Sequence, residues 1–186
     1  MHPNALLELC AELIAVVNKL DAPADATVSA FFRQHKNLGQ RERASLAETV
    51  YALLRERLKF QNLAQSGTGP MPRRLAMLAW RGSDSFLRAA LSPVEQQWLA
   101  QVQAIAPDSL APKLRHNMPD WLAEPLLARL GEGEFWKLAG ALNKAAPLDL
   151  RVNTLKLKRE EAQAQLKDAG IESTPTPYSP LGLRID

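Results

Sequence analysis

Apolar residues at Leu6, Cys10, Leu13, Val17 and Leu20 recur every three or four positions, which predicts one buried face of a helix. Leu20-Asp21-Ala22-Pro23 breaks it. Val28, Phe31 and Phe32 supply the stripe of a second helix, which stops near Asn37-Leu38-Gly39. The strongest helical pattern runs from Gln40 to Lys59. There Leu46, Ala47, Val50, Leu53, Leu54 and Leu58 face inward, and Arg41, Arg43, Arg55 and Arg57 lie largely off the stripe. Ser66 to Pro70 reads as a loop. Shorter helices are predicted over about 72–80, 83–90, 93–105, 119–130 and 132–144. Ser92-Pro93 suits an N-cap followed by proline at the first helical position, Pro119 suits a helix start, and Gly131 suits a helix end.

The period changes after Ala146-Pro147. Leu148 to Leu155 alternates apolar and polar residues, the mark of a half-buried strand. A helix is predicted over 158–169, closed by Gly170, then strands at 171–174 and 182–185 around a proline-rich turn at 175–180. The expected fold is mainly α: a helical bundle over 1–145, then a partial α+β (βαββ) subdomain over 147–186. The unit stops in mid-pattern. That predicts a piece of a longer protein; the alternative is a short open sheet.

With 186 residues, 46% hydrophobic and 23% charged, the chain has globular composition, for one domain or two small ones. One cysteine excludes an intramolecular disulfide and a multi-cysteine zinc site. No apolar run approaches the length of a spanning helix, and Met1-His2-Pro3-Asn4 lacks the basic start of a signal peptide. The expected compartment is the cytoplasm, without membrane contact.

The net charge of +3 is unevenly spread. Residues 1–32 carry −3 and residues 92–186 carry −1, whereas residues 33–91 set eleven basic side chains against four acidic ones, for +7. Nine of the eleven are arginines, whose planar fork suits phosphate. A stretch of this kind admits nucleic acid; a solvated face of ordinary helices is the competing reading.

The search for reactive groups finds little. Cys10 lies on an apolar face with no cation beside it, as a small core residue would. His2, His35 and His116 share no metal-ligand spacing, and His116 suits capping or the surface. Gly67-Thr68-Gly69 is followed by proline and no strand leads into it, unlike a phosphate loop. Glu132/Glu134 and Glu160/Glu161 sit at helix starts, where the macrodipole favours them. Trp80, Trp98, Trp121 and Trp136 fall at helical spacing from leucines, which suggests core packing over base stacking. Arg151-Val152-Asn153-Thr154-Leu155-Lys156 is more distinctive. Arg151, Asn153 and Leu155 share one side of the expected strand, and Lys156, Lys158 and Arg159 extend a cationic strip into the next helix. Such groups reach phosphate, ribose or base edges; a solvated sheet face is the alternative.

The run from Ala145 to Lys156 resembles the signature that opens the N-terminal subdomain of Sun/Fmu-type RNA cytosine-5 methyltransferases. The likeness continues through Lys158-Arg159-Glu160, Gly170-Ile171 and Pro177 to Arg184, with Met118-Pro119-Asp120-Trp121-Leu122 similar to the family's Pro-x-Trp-Leu helix start. Ala24-Asp25, Phe31-Phe32-Arg33, Leu38 to Arg43 and Ala47 to Arg55 are similar to the NusB-like helical module of the same family. Residues 61–114 match poorly. The resemblance implies a helical RNA-binding module and part of an α+β subdomain. In the family these precede a catalytic domain that binds S-adenosylmethionine and uses two cysteines to methylate C5 of an rRNA cytosine. Cys10 matches neither cysteine context, so the chain alone is expected to be inactive and to present RNA to a catalytic domain in cis. Under this reading Arg33, Lys36, Arg41, Arg43, Arg55, Arg57, Arg73 and Arg74 are the expected phosphate contacts. Arg151, Asn153, Lys156, Lys158 and Arg159 are expected nearer the target or the catalytic domain. The alternative is a helical protein–protein interaction module without direct RNA contact.

Overall fold

The computed structural model describes residues 1–144 and 146–185. Ala145, which opens the signature run and ends the expected helical domain, lies outside the described residues, as does Asp186. The chain separates into two compact units, Met1–Asn143 and Lys144–Asp186.

The first unit is helical: α1 (Pro3–Val17), α2 (Ala24–Gln34), α3 (Gln40–Arg55), α4 (Arg57–Leu63), α5 (Met71–Ala79), α6 (Asp84–Ala90), α7 (Pro93–Gln103), α8 (Pro112–His116) and α9 (Asp120–Leu142). Helix α1 packs against α2, α3, α5 and α6. Its Leu7, Leu13 and Ile14 meet Leu46, Val50, Leu53 and Leu75 in one continuous core. Each such side chain contributes roughly 1.5–3 kcal/mol on burial. Leu20 departs from the expected stripe: α1 ends at Val17, and Leu20 sits exposed in the following turn at φ +60°. A smaller cluster packs Met118 against Ala123, Phe135 and Ala139 of α9.

Local signals explain several helix ends. Ser92 Oγ accepts from Glu95 N at 3.3 Å while Glu95 Oε2 accepts from Ser92 N at 2.8 Å, a reciprocal cap that starts α7. Gly131 takes φ +74° and kinks α9, where a helix end was expected. The helix expected over 40–59 is broken at Glu56, with φ −118° and ψ 35°. The cause is tertiary. Asn117, itself at φ +55°, accepts from Leu58 N at 2.8 Å and donates to the Arg55 carbonyl, so the backbone groups freed by the break find partners. Thr49, fully buried on α3, gives its proton to Ser45 O at 2.7 Å and accepts from Arg81 N at 3.0 Å.

The second unit contains β1 (Leu148–Arg151), α10 (Arg159–Asp168), β2 (Ser173–Pro175) and β3 (Gly182–Ile185). The sheet is antiparallel with order β1-β3-β2. Leu150 stands opposite Leu183 and Asp149 opposite Arg184, so apolar and polar side chains take opposite faces. Strand β1 is shorter than expected: it ends at Arg151, and Val152 turns inward while its N–H donates to Leu181 O at 2.9 Å. Gly182 is required by close approach, since a Cβ there would lie 2.0 Å from Thr176 Oγ1. The fold is mainly α with a partial α+β subdomain.

Candidate nucleic-acid interface

The cations of residues 33–43 and those of residues 73–74 meet different surroundings. Arg33 and Lys36 are exposed and, among the described residues, have no ion-pair or hydrogen-bond partner for their side chains. With Ser29, Phe32 and Arg43 they line a surface depression that contains no carboxylate. Arg43 is half-buried and held in place: its Nε donates to Leu38 O at 2.9 Å, and its guanidinium carbon lies 5.8 Å from the Phe32 ring centroid. The carboxylate next in sequence, Glu42, is turned away. It accepts from Gly39 N at 2.8 Å and pairs with the Met1 ammonium at 2.7 Å. The ammonium first, then the Gly39 N–H, hold its carboxyl below the usual range. Arg41 is exposed in the first turn of α3.

Arg73 is enclosed by protein. It pairs with Glu8 and Glu95 at 2.6 Å each, and donates to Asn4 at 3.1 Å and to Ala90 O at 3.3 Å. Its side chain is only 12% exposed. The Arg73 hydrogen bond, opposed by desolvation and aided by Ser92, holds the Glu95 carboxyl down at about 2. Arg74 directs Nη1 at the carbonyls of Ala64 and Gly67, and its Nε is buried. Arg57 donates to Asn18 Oδ1 at 2.8 Å, and Arg55 is half-buried where its carbonyl accepts from Asn117. The sequence alone gives no means of separating these arginines from those at 33–43, because tertiary packing sets their partners.

In the second unit Arg151 is exposed at the end of β1. Asn153 does not continue the strand with it. Its Oδ1 accepts from Leu155 N at 3.1 Å and its carbonyl from Lys156 N at 2.9 Å, which makes it the pivot of a turn. Lys156 and Lys158 are exposed; Lys158 N is capped by Glu161 at 2.8 Å, and Arg159 lies 3.4 Å from Glu160. A bidentate Arg184–Asp149 pair at 2.7 and 2.8 Å, not anticipated from sequence, spans β1 and β3.

Other sequence candidates fall elsewhere. Cys10 is buried, which pushes its thiol up to about 12. His116 is buried between Phe135 and Trp136 rather than at the surface; its Nδ1 accepts from Met118 N at 3.0 Å, and desolvation lowers its pKa. Trp80 is buried and Trp98 and Trp136 are half-buried, but Trp121 is 75% exposed, contrary to the core placement expected for it. Leu127 and Leu130, on the same helix, are exposed as well. Among the described residues no group of His, Cys, Asp and Glu could hold a metal ion, and no helix is long and apolar enough to cross a membrane. The Gly67 turn does not fit S-adenosylmethionine: its carbonyl holds Arg74, and Trp98 lies 2.7 Å from where a Cβ would stand.

Residues 118–186 match the family model described as Methyltr_RsmF/B-like, ferredoxin-like domain. Over 71 residues the chain is 34% identical to the probable ribosomal RNA small subunit methyltransferase B of Synechocystis, covering 38% of this chain and 16% of the relative. It is 34% identical over 70 residues to ribosomal RNA small subunit methyltransferase B of Photorhabdus laumondii, again covering 38% and 16%. The crystal structure of PH0851 matches the whole chain with a TM-score of 0.61 at 17% identity, over 49% of its own length, which is a likeness of fold. Together these matches support the resemblance to the N-terminal region of Sun/Fmu-type ribosomal RNA methyltransferases.

Proposed function

We propose that this chain is the RNA-binding N-terminal region of an S-adenosylmethionine-dependent rRNA cytosine-C5 methyltransferase of the cytoplasm. The NusB-like helical unit holds the RNA backbone, and the α+β unit lies nearer the target cytosine and the catalytic domain in cis. The observation that carries the reading is the exposed cationic surface at Arg33, Lys36 and Arg41 with the anchored Arg43 beside it, in a chain whose relatives are named for rRNA methylation. Cytosine C5 is inaccessible to chemistry within a paired, stacked helix, so its enzyme must grip the surrounding RNA while the base is unpaired or extruded. Cationic side chains on a separate module supply that grip without reading sequence. Arg151, Lys156, Lys158 and Arg159 are the contacts proposed for the second unit, with Asn153 shaping the turn that presents them. Arg55, Arg57, Arg73 and Arg74 contribute mainly through the scaffold, as their surroundings suggest.

The test is filter binding of a small-subunit rRNA transcript to the chain in dilute buffer. Binding is expected, and charge reversal at Arg41 and Arg43 should weaken it for every RNA sequence tried. The absence of binding would remove the reading. The exposed Trp121, Leu127 and Leu130 favour a second reading, a protein-docking helix. Under it, Trp121→Ala would abolish capture of a protein partner, and charge reversal would leave RNA retention unchanged.

A further inference from the structure

The depression beside Phe32 differs from an ordinary cationic surface in one respect: one of its three cations is fixed before any ligand arrives. Arg43 Nε is engaged by Leu38 O, and the guanidinium lies near the Phe32 ring. Its two terminal nitrogens have no hydrogen-bond partner among the described residues. A guanidinium held through Nε keeps its Nη edge as a two-pronged donor of defined direction. That geometry matches two oxygens of one phosphodiester, which a lysine ammonium cannot replicate. Arg33 and Lys36 line the same depression from the end of α2 and the turn after it, so three positive charges converge. No carboxylate lines it, and Glu42 is committed to Gly39 and Met1. His35, between Arg33 and Lys36 in sequence, is also directed elsewhere: its Nδ1 lies 2.9 Å from Phe31 O and its ring stacks on Phe31.

We propose that this depression is a preorganised site for one phosphodiester of the RNA backbone, with Arg43 as the bidentate fork and Arg33 and Lys36 as flanking charges. The site rests on the RNA-binding reading above and gives it a fixed anchoring point. Because entropy is already lost in placing Arg43, binding there costs less ordering than at an exposed arginine without such an anchor. The site therefore depends on guanidinium shape as well as on charge.

Fluorescence anisotropy with a labelled, unstructured oligouridylate and the full chain tests it. Arg43→Lys keeps the charge and removes the fork; affinity should fall about tenfold. Arg88→Lys, on α6 and outside the depression, should change affinity less than about twofold. If both lysine variants bind like the unchanged chain, the fixed site is overturned and the general electrostatic reading stands. If the unchanged chain ignores the probe at low salt, the RNA-binding reading itself fails, and the site with it. Far-UV circular dichroism checks that Arg43→Lys folds. Should it not, Arg33→Gln with Lys36→Gln decides, since neither side chain has a structural partner. That pair should lose about tenfold in affinity, more than Arg88→Gln with Arg129→Gln, which removes the same charge elsewhere on the unit. Equal losses from the two pairs would overturn the site.

Discussion

Arginines near residue 40 and near residue 73 look alike in the sequence and have opposite surroundings in the fold. Around the first group the side chains of Arg33 and Lys36 reach solvent without protein partners, and Arg43 is held so that its terminal nitrogens stay open. In the second, Arg73 joins α5 to carboxylates on α1 and α7, and Arg74 closes the loop before α5. The +7 of residues 33–91 therefore overstates the charge available to a polyanion. What decides is whether acidic and carbonyl groups from distant segments converge on a cation. Charge counting ignores this.

The largest effect expected from breaking the contrast is at Arg73. Arg73→Ala leaves Glu95 and Glu8 without their partner and should cost about 2 kcal/mol, visible as a fall in melting temperature of roughly 4–8 °C. RNA affinity of the folded variant should change by less than about twofold. A large loss of affinity with normal stability would erase the distinction between the two groups.

Asn117→Ala comes next. It strips partners from Leu58 N and the Arg55 carbonyl and places a Cβ-bearing residue without a local polar side chain at φ +55°. Urea unfolding should show a loss of about 1–2 kcal/mol. Gly182→Ala should cost a similar or smaller amount, about 1 kcal/mol or more, and should do so in the second unit, because Thr176 must move. Hydrogen exchange would show faster opening of β3 with the core of α1 unaffected.

The smallest effect is the acid dependence. The folded Glu95 carboxyl sits at about 2, below its unfolded value. Its contribution is thus complete above the unfolded pKa, near 4.3, and is lost as pH falls toward 2. Thermal melts between these limits should show the chain losing stability with acid more steeply than Arg73→Ala, where the depressed carboxyl no longer has its main cause.

Much of the fold was legible from local signals. The three- and four-residue spacing of Leu6, Cys10, Leu13 and Val17 located α1, the Ser92-Pro93 pair located the start of α7, alternation located β1, and the proline-rich turn at 175–180 located the strand after it. The misses share a cause. The break at Glu56 depends on Asn117, and the end of β1 depends on Val152 bonding to Leu181. Each is settled by a residue or surface distant in sequence. The same holds for the candidate interface: residue type pointed to arginine, but only packing distinguished Arg43 from Arg73.

The most direct measurement is the salt dependence of affinity for a small-subunit rRNA transcript, taken for the chain and for a variant with Arg33, Lys36 and Arg43 all changed to glutamine. With about five phosphates neutralised, the slope of log K against log salt should be near −3.5 for single strands, and losing the one phosphodiester held in the depression should flatten it to about −2.8 in the variant. A slope near zero for the chain, or one that the triple change leaves untouched, would contradict the account.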